Sequence, residues 1–152
     1  MNTEIDFLDL KKHYDRILVR KYSDMESSFL EKLSEDAIIY KVYITDYGDF
    51  EEGLTMINPG TVGKEFFMTK GHKHKKDSPE IYILIKGKGK LIIQENSTKI
   101  IDLKKNVYYH IPGTSGHRLV NVGEEPLEVL TIYGKNAGHD YDFKVEKSIL
   151  KE

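Results

Sequence analysis

Residues 80–103 read EIYILIKGKGKLIIQENSTKIIDL. Apolar and β-branched side chains fill EIYILIK, stop at the glycine-rich GKGK, resume in LIIQ, stop at Asn96–Ser97 and resume again. That pattern predicts strand, turn, strand, turn, strand. The texture extends in both directions. Upstream, AIIYKVYIT (37–45), LTMINPG (54–60) and KEFFMTKGHKH (64–74) read as strands, divided by a turn, DYGDFEEG (46–53), and a polar loop, KKDSP (75–79). Downstream, residues 106–134 give three more strands, broken at Pro112–Gly113 and at the GEEP turn of 123–126. Short strands at this spacing, without intervening helices, predict an all-β sandwich or barrel.

Only one segment reads as helix. In YSDMESSFLEKLSED (22–36), Ser23 and Glu26 form a capping-box pattern, and Met25, Phe29 and Leu33 recur on one helical face. The expectation is a short amphipathic helix packed outside the sheet. Residues 1–20 read as a polar arm and 142–152 as a polar tail, around one domain spanning 1–152.

Composition narrows the function classes. A chain of 152 residues suits one core. With 23 Lys plus Arg against 25 Asp plus Glu, the net charge of -2 favours neither nucleic acid nor a membrane surface. The absence of cysteine excludes disulfides, thiolate metal sites and cysteine nucleophiles. No apolar run approaches a membrane span, and the first residues lack the apolar core of a signal peptide, so the expected setting is cytoplasmic.

Immediately before the opening stretch stands TKGHKH (69–74). Strand alternation puts His72 and His74 on one face, with Lys73 on the other. If the loop to Glu80 closes a hairpin, Glu80 lies beside the histidine pair. His117 follows Pro112 by five positions and precedes Asn121 by four. Three imidazoles and a carboxylate make a mixed nitrogen and oxygen set that suits a divalent transition metal, and a lone carboxylate facing a barrel interior is costly. His72, His74, Glu80 and His117 are therefore the expected metal ligands. Four protein ligands around an ion that prefers six leave positions open for substrate. His13 and His110 read as a surface and a structural histidine.

These spacings resemble the two cupin motifs: His-x-His, a loop, Glu80 and, seven positions later, Gly87; then Pro112, His117 and Asn121. The resemblance implies a cupin double-stranded β-helix, a jelly-roll barrel, with the short helix and the arm at its N-terminus. The glycine usually two after the proline comes one earlier, as Gly113. Beyond the motifs, RKYSDME (20–26), PGTVGKEFFMTKGHKH (59–74), EIYILIKGKGKLI (80–92) and GHRLVNVGEEPLEVLTIYGKNAGHDY (116–141) resemble the cupin-type phosphoglucose isomerases found mainly in archaea. The loop from His74 to Glu80 is one residue shorter than in better-known members.

The resemblance implies interconversion of glucose 6-phosphate and fructose 6-phosphate, with one divalent metal per subunit and a homodimer. Fe(II) is the first expectation for the ion, with Mn(II), Ni(II) and Zn(II) compatible with the same donors. Carried over residue by residue, Tyr40, Thr55, Thr69 and Gly71 match positions that hold the substrate phosphate. Tyr133 and His139 match residues at the sugar end, and Tyr82 and Tyr141 line the same pocket. Glu80 is the candidate for carrying a proton between carbons 1 and 2, and His139 for assisting ring opening. A metal-assisted hydride shift stands as the rival to the enediol route. Two other functions share this ligand set: a cupin Fe(II) dioxygenase, and a non-catalytic sugar-phosphate-binding cupin.

Overall fold

A computed structural model describes residues 3–76, 78–140 and 143–152. Thirteen strands run through it. They are β1 (Arg16–Lys21), β2 (Ile38–Asp46), β3 (Phe50–Ile57), β4 (Thr61–Val62), β5 (Glu65–Phe66), β6 (Lys73–His74) and β7 (Glu80–Lys86), followed by β8 (Gly89–Gln94), β9 (Thr98–Asp102), β10 (Tyr108–Ile111), β11 (Gly116–Asn121), β12 (Leu127–Gly134) and β13 (His139–Asp140).

Six of them form one antiparallel sheet in the order β1-β2-β3-β12-β7-β10. A smaller sheet, β11-β8-β9, and two ribbons, β6-β13 and β4-β5, complete the barrel. The chain crosses repeatedly between the two sheets: β7 lies in the large one and β8 in the small, β10 in the large and β11 in the small, before β12 returns. This is the cupin jelly roll. The first crossing is made at Gly87, whose φ is +95°; a Cβ there would stand 2.7 Å from the Pro126 carbonyl oxygen.

Alternation along each strand sorts the side chains. In β7, Glu80, Tyr82 and Leu84 are buried and face inward, while Ile81, Ile83 and Ile85 are partly exposed on the outer face. Ile39, Ile57, Met68, Leu91, Ile92, Ile111 and Val120 fill the barrel core. A second cluster, Leu10, Leu54 and Leu130 with Tyr43 and Ile83 against it, lies apart from that core.

The N-terminal expectations need correction. The supposed arm ends in β1, which pairs with β2 from Arg16 to Lys21 and forms the edge of the large sheet. Before it, Phe7–Lys12 makes a 3₁₀ turn capped by the Asp6 carboxylate and plants Leu10 in the second cluster. The expected amphipathic helix is one turn, α1 (Tyr22–Met25), followed by a 3₁₀ turn over Glu26–Ser28. Its cap is not the Ser23–Glu26 pair. Asp24 accepts from the Lys21 N–H, and Asp36 captures both the N–H and the hydroxyl of Ser23. Phe29 is already extended, yet Met25 and Phe29 are buried in the main core. DYGDFEEG is likewise less turn than expected, because β3 begins at Phe50.

Candidate metal and substrate site

The four expected ligands converge. One donor atom from each of His72, His74, Glu80 and His117 lies within 4.8 Å of all the others. Their routes differ from the hairpin expectation. β6 pairs with β13, not with β7. Glu80 opens β7 in the large sheet, opposite Tyr133 and Ile111. His117 stands on β11 in the small sheet, and a bridge of two backbone hydrogen bonds joins it to His72. Glu80 thus meets the histidines across the barrel, and not along a shared hairpin.

Hydrogen bonding orients the rings. His74 Nδ1 lies 2.6 Å from the Ser78 carbonyl oxygen, and His117 Nδ1 lies 3.1 Å from that of Ser115. A carbonyl only accepts, so each Nδ1 carries the hydrogen and each Nε2 turns its lone pair inward. Glu80 Oε2 lies 3.1 Å from His74 Nε2, 2.9 Å from His117 Nε2 and 3.9 Å from His72 Nε2. Glu80 Oε2 and His117 Nε2 are sealed from water without a hydrogen bond. Lone pairs facing a carboxylate in a buried space need a cation between them, and a divalent metal fits that donor set. Burial works against the Glu80 charge, but its contacts with His117 and His74 outweigh burial and hold the carboxyl well below its usual range. Burial also pushes the His74 imidazole down, and Glu80 more than reverses that, leaving it raised.

One motif residue is structural. Asn121 donates to the carbonyls of Ile57 and Glu125 and accepts from the Gly123 N–H, clamping the turn into β12. His110 is exposed on β10, and His13 meets Tyr47 at the surface.

Beside the metal cluster a cavity of about 350 Å³ opens, walled by the large sheet. Tyr40, Thr55, Thr69, Gly71, Tyr82 and Tyr133 all line it. The Thr69 Oγ1 accepts from the Leu119 N–H, which leaves its own O–H as a donor. The Tyr40 hydroxyl accepts from the Lys70 N–H. Gly71 has φ +80°, and a Cβ there would come within 3.0 Å of Val145. His139 opens β13 opposite His74, but its side chain lies outside the described residues, as does Tyr141.

Four further residues stand near the cavity. Glu51, buried on β3, accepts from the Tyr133 hydroxyl at 3.2 Å and from Arg16 at 2.8 Å. Burial and then Glu51 push the Tyr133 hydroxyl far up, so it stays protonated. Arg16 and Arg20 reach the cavity from β1, the segment read as an arm. Arg118 lies behind the Thr69–Gly71 turn and gives its guanidinium to the carbonyls of Thr69, Lys70 and Lys147. Burial pushes it down to about 10, which still leaves it charged at neutral pH. The inward alternation of β1 was the available signal for Arg16 and Arg20. For Arg118, its position next to His117 was the clue.

The family model described as glucose-6-phosphate isomerase matches residues 14–148. The chain belongs to the glucose-6-phosphate isomerase family. Within that family it is 40% identical to the glucose-6-phosphate isomerase of Pyrococcus abyssi over 148 residues, covering 88% of this chain and 78% of the relative. It is 42% identical to that of Thermococcus kodakarensis over 147 residues, again covering 88% of this chain and 78% of the other. Among solved structures, oxalate decarboxylase from Lactobacillus farciminis superposes with a TM-score of 0.55 at 23% identity, over 72% of this chain and 31% of that one. AerE from Microcystis aeruginosa gives a TM-score of 0.52 at 18% identity, over 62% of this chain and 41% of that one. Those two likenesses speak for the fold alone.

Proposed function

We propose that the protein interconverts glucose 6-phosphate and fructose 6-phosphate, with a divalent metal held by His72, His74, Glu80 and His117. The observation that carries this is the joining, in one cavity, of that donor cluster with the hydroxyls of Tyr40, Thr55 and Thr69. Bound there, a divalent ion supplies Lewis-acid stabilisation of negative charge on adjacent sugar oxygens. The protein's own groups do the rest. Tyr40, Thr55, Thr69 and the Gly71 backbone hold the phosphate away from the carboxylate end. Tyr133, its hydrogen aimed at Glu51, offers its oxygen to a sugar hydroxyl. Glu80 lines the cavity, and it is proposed to take a proton at one carbon and return it at the next. His139, paired in register with His74, is proposed to serve the ring oxygen; Tyr82 and Tyr141 are proposed to close the sugar pocket.

The test is a coupled assay of fructose 6-phosphate conversion before chelation, after it, and after metal return. Activity lost and regained supports the reading; no turnover by metal-replete protein sinks it. Fe(II) is proposed as the working ion, and reconstitution with Fe(II), Mn(II), Ni(II) and Zn(II) in parallel tests that ranking. No helix among the described residues is long and apolar enough to cross a membrane, and a cytoplasmic setting is proposed on the nature of the reaction.

A homodimer is proposed through the outer face of the large sheet. There Ile17, Tyr43, Leu54, Leu130, Ile83 and Tyr108 sit in register across all six strands; Leu10 covers Leu54 and Leu130 at the centre, so the two edges carry the exposed part of the row. Ile17 is 41% exposed and Tyr108 68% exposed, at the two edges of that row.

A further inference from the structure

Three cations reach the cavity wall: Arg16, Arg20 and Lys135. Arg16 is paired with Glu51 and Lys135 with Asp46. The Arg20 side chain has no ion pair and no hydrogen bond among the described residues, and its Nε is shut off from water. A shielded donor with no acceptor is costly, and native structures rarely tolerate one without a ligand or water to fill it.

Its position says what would fill it. Arg20 pairs in register with Tyr40, which continues across the sheet to Ile57 and Leu127. Glu80 belongs to a different row, with Tyr133 and Glu51. Three steps of two residues separate Leu127 from Tyr133 on β12, each about 7 Å along a strand. Arg20 is therefore at the hydroxyl end, remote from the carboxylates.

We propose that Arg20 is the charged partner of the substrate phosphate, a contact that sets the preference for phosphorylated over free sugar. The proposal rests on the isomerase reading above. Hydroxyls and one backbone N–H are neutral donors, and a phosphate taken out of water needs a compensating charge. Arg118 is not among the residues that line the cavity, and each of its three nitrogens already gives a hydrogen bond to a backbone carbonyl. It contributes charge from behind the Thr69–Gly71 turn, whereas Arg20 offers a planar donor fork from the facing sheet.

The test compares metal-loaded wild type with Arg20→Met and Arg20→Lys. Binding of inorganic phosphate is measured by calorimetry, alongside KM and kcat on fructose 6-phosphate and the metal content of each protein. Arg20→Met is expected to weaken phosphate binding and raise KM by about 10- to 100-fold. Its kcat is expected to stay within about threefold of wild type, because the contact is remote from the reacting carbons. Arg20→Lys keeps the charge without the fork and is expected to fall between, which carries the test if the Met variant does not fold. Unchanged metal content with weakened phosphate binding supports the proposal over a merely structural role. Phosphate affinity within twofold of wild type in Arg20→Met overturns it, and so does wild type that binds no phosphate. Wild type that binds phosphate through Arg20 but leaves fructose 6-phosphate unconverted would sink the isomerase reading and leave the anion site standing.

Discussion

Glu80 sits where two demands meet. Its Oε2 is turned to three imidazoles, and the same residue lines the substrate cavity. Glu80→Gln keeps the shape and removes the charge. It is expected to weaken metal binding and, at saturating metal, to lower kcat by about 10²–10⁴-fold; equal kcat under those conditions would exclude Glu80 as the proton carrier. The pH behaviour of the chelated protein follows from the paired shifts. Glu80 is lowered from 4.5, so its stabilisation is present above that value and is lost as pH falls through the folded one. His74 is raised from 6.5, so its stabilisation is complete below that value and is lost as pH rises through the folded one. The metal-free protein is therefore expected to be most stable between those two ordinary values. In the loaded protein the ion replaces the proton, and ion binding strengthens as imidazoles deprotonate. The gap in Tm between loaded and metal-free protein should therefore widen from pH 5.5 to pH 8, as thermal scans would show. The convergence of His72, His74, Glu80 and His117 into one cluster was legible from spacing. Glu51 was not, because DYGDFEEG looks like a turn and nothing local reveals that β3 already runs inward at that carboxylate.

At the scale of elements, the Thr69–Gly71 turn is held from both sides. Arg118 fixes its carbonyls, and Val145 from the C-terminal segment presses on Gly71. Gly71→Ala forces a side chain into left-handed backbone, at about 1–2 kcal/mol, and also crowds Val145. The expected result is a Tm lower by roughly 2–8 °C with a raised KM. Adding Val145→Ala should recover the crowding part but not the backbone part, so the two changes combine non-additively in a double-mutant cycle. The strands of residues 80–103 were legible because alternation and turn residues agree there. The helix is shorter than its apolar spacing implies. The capping pattern at Ser23 is local, whereas its actual partner, Asp36, is thirteen residues away. Burial of Met25 and Phe29 survives the change, because an extended continuation carries Phe29 into the same core.

At the scale of the molecule, Tyr108, at the β10 edge of the outer row and not among the cavity-lining residues, makes the proposed dimer testable. Tyr108→Glu is expected to shift the sedimentation profile from dimer to monomer. A profile that is monomeric in wild type would remove the assembly outright. The sheet edges of this row were hard to read, since β1 is short, charged on its inward side and separated from its partner by a helical turn.

The crossing geometry of the metal cluster has a kinetic consequence. Its ligands belong to different sheets, so a bound ion acts as a cross-link that forms only once both sheets have closed. Such a link is absent from a transition state in which the barrel is still open. Metal should then leave the refolding rate in denaturant nearly unchanged and slow unfolding by most of the equilibrium gain. The ion would guard the closed barrel without having directed its assembly.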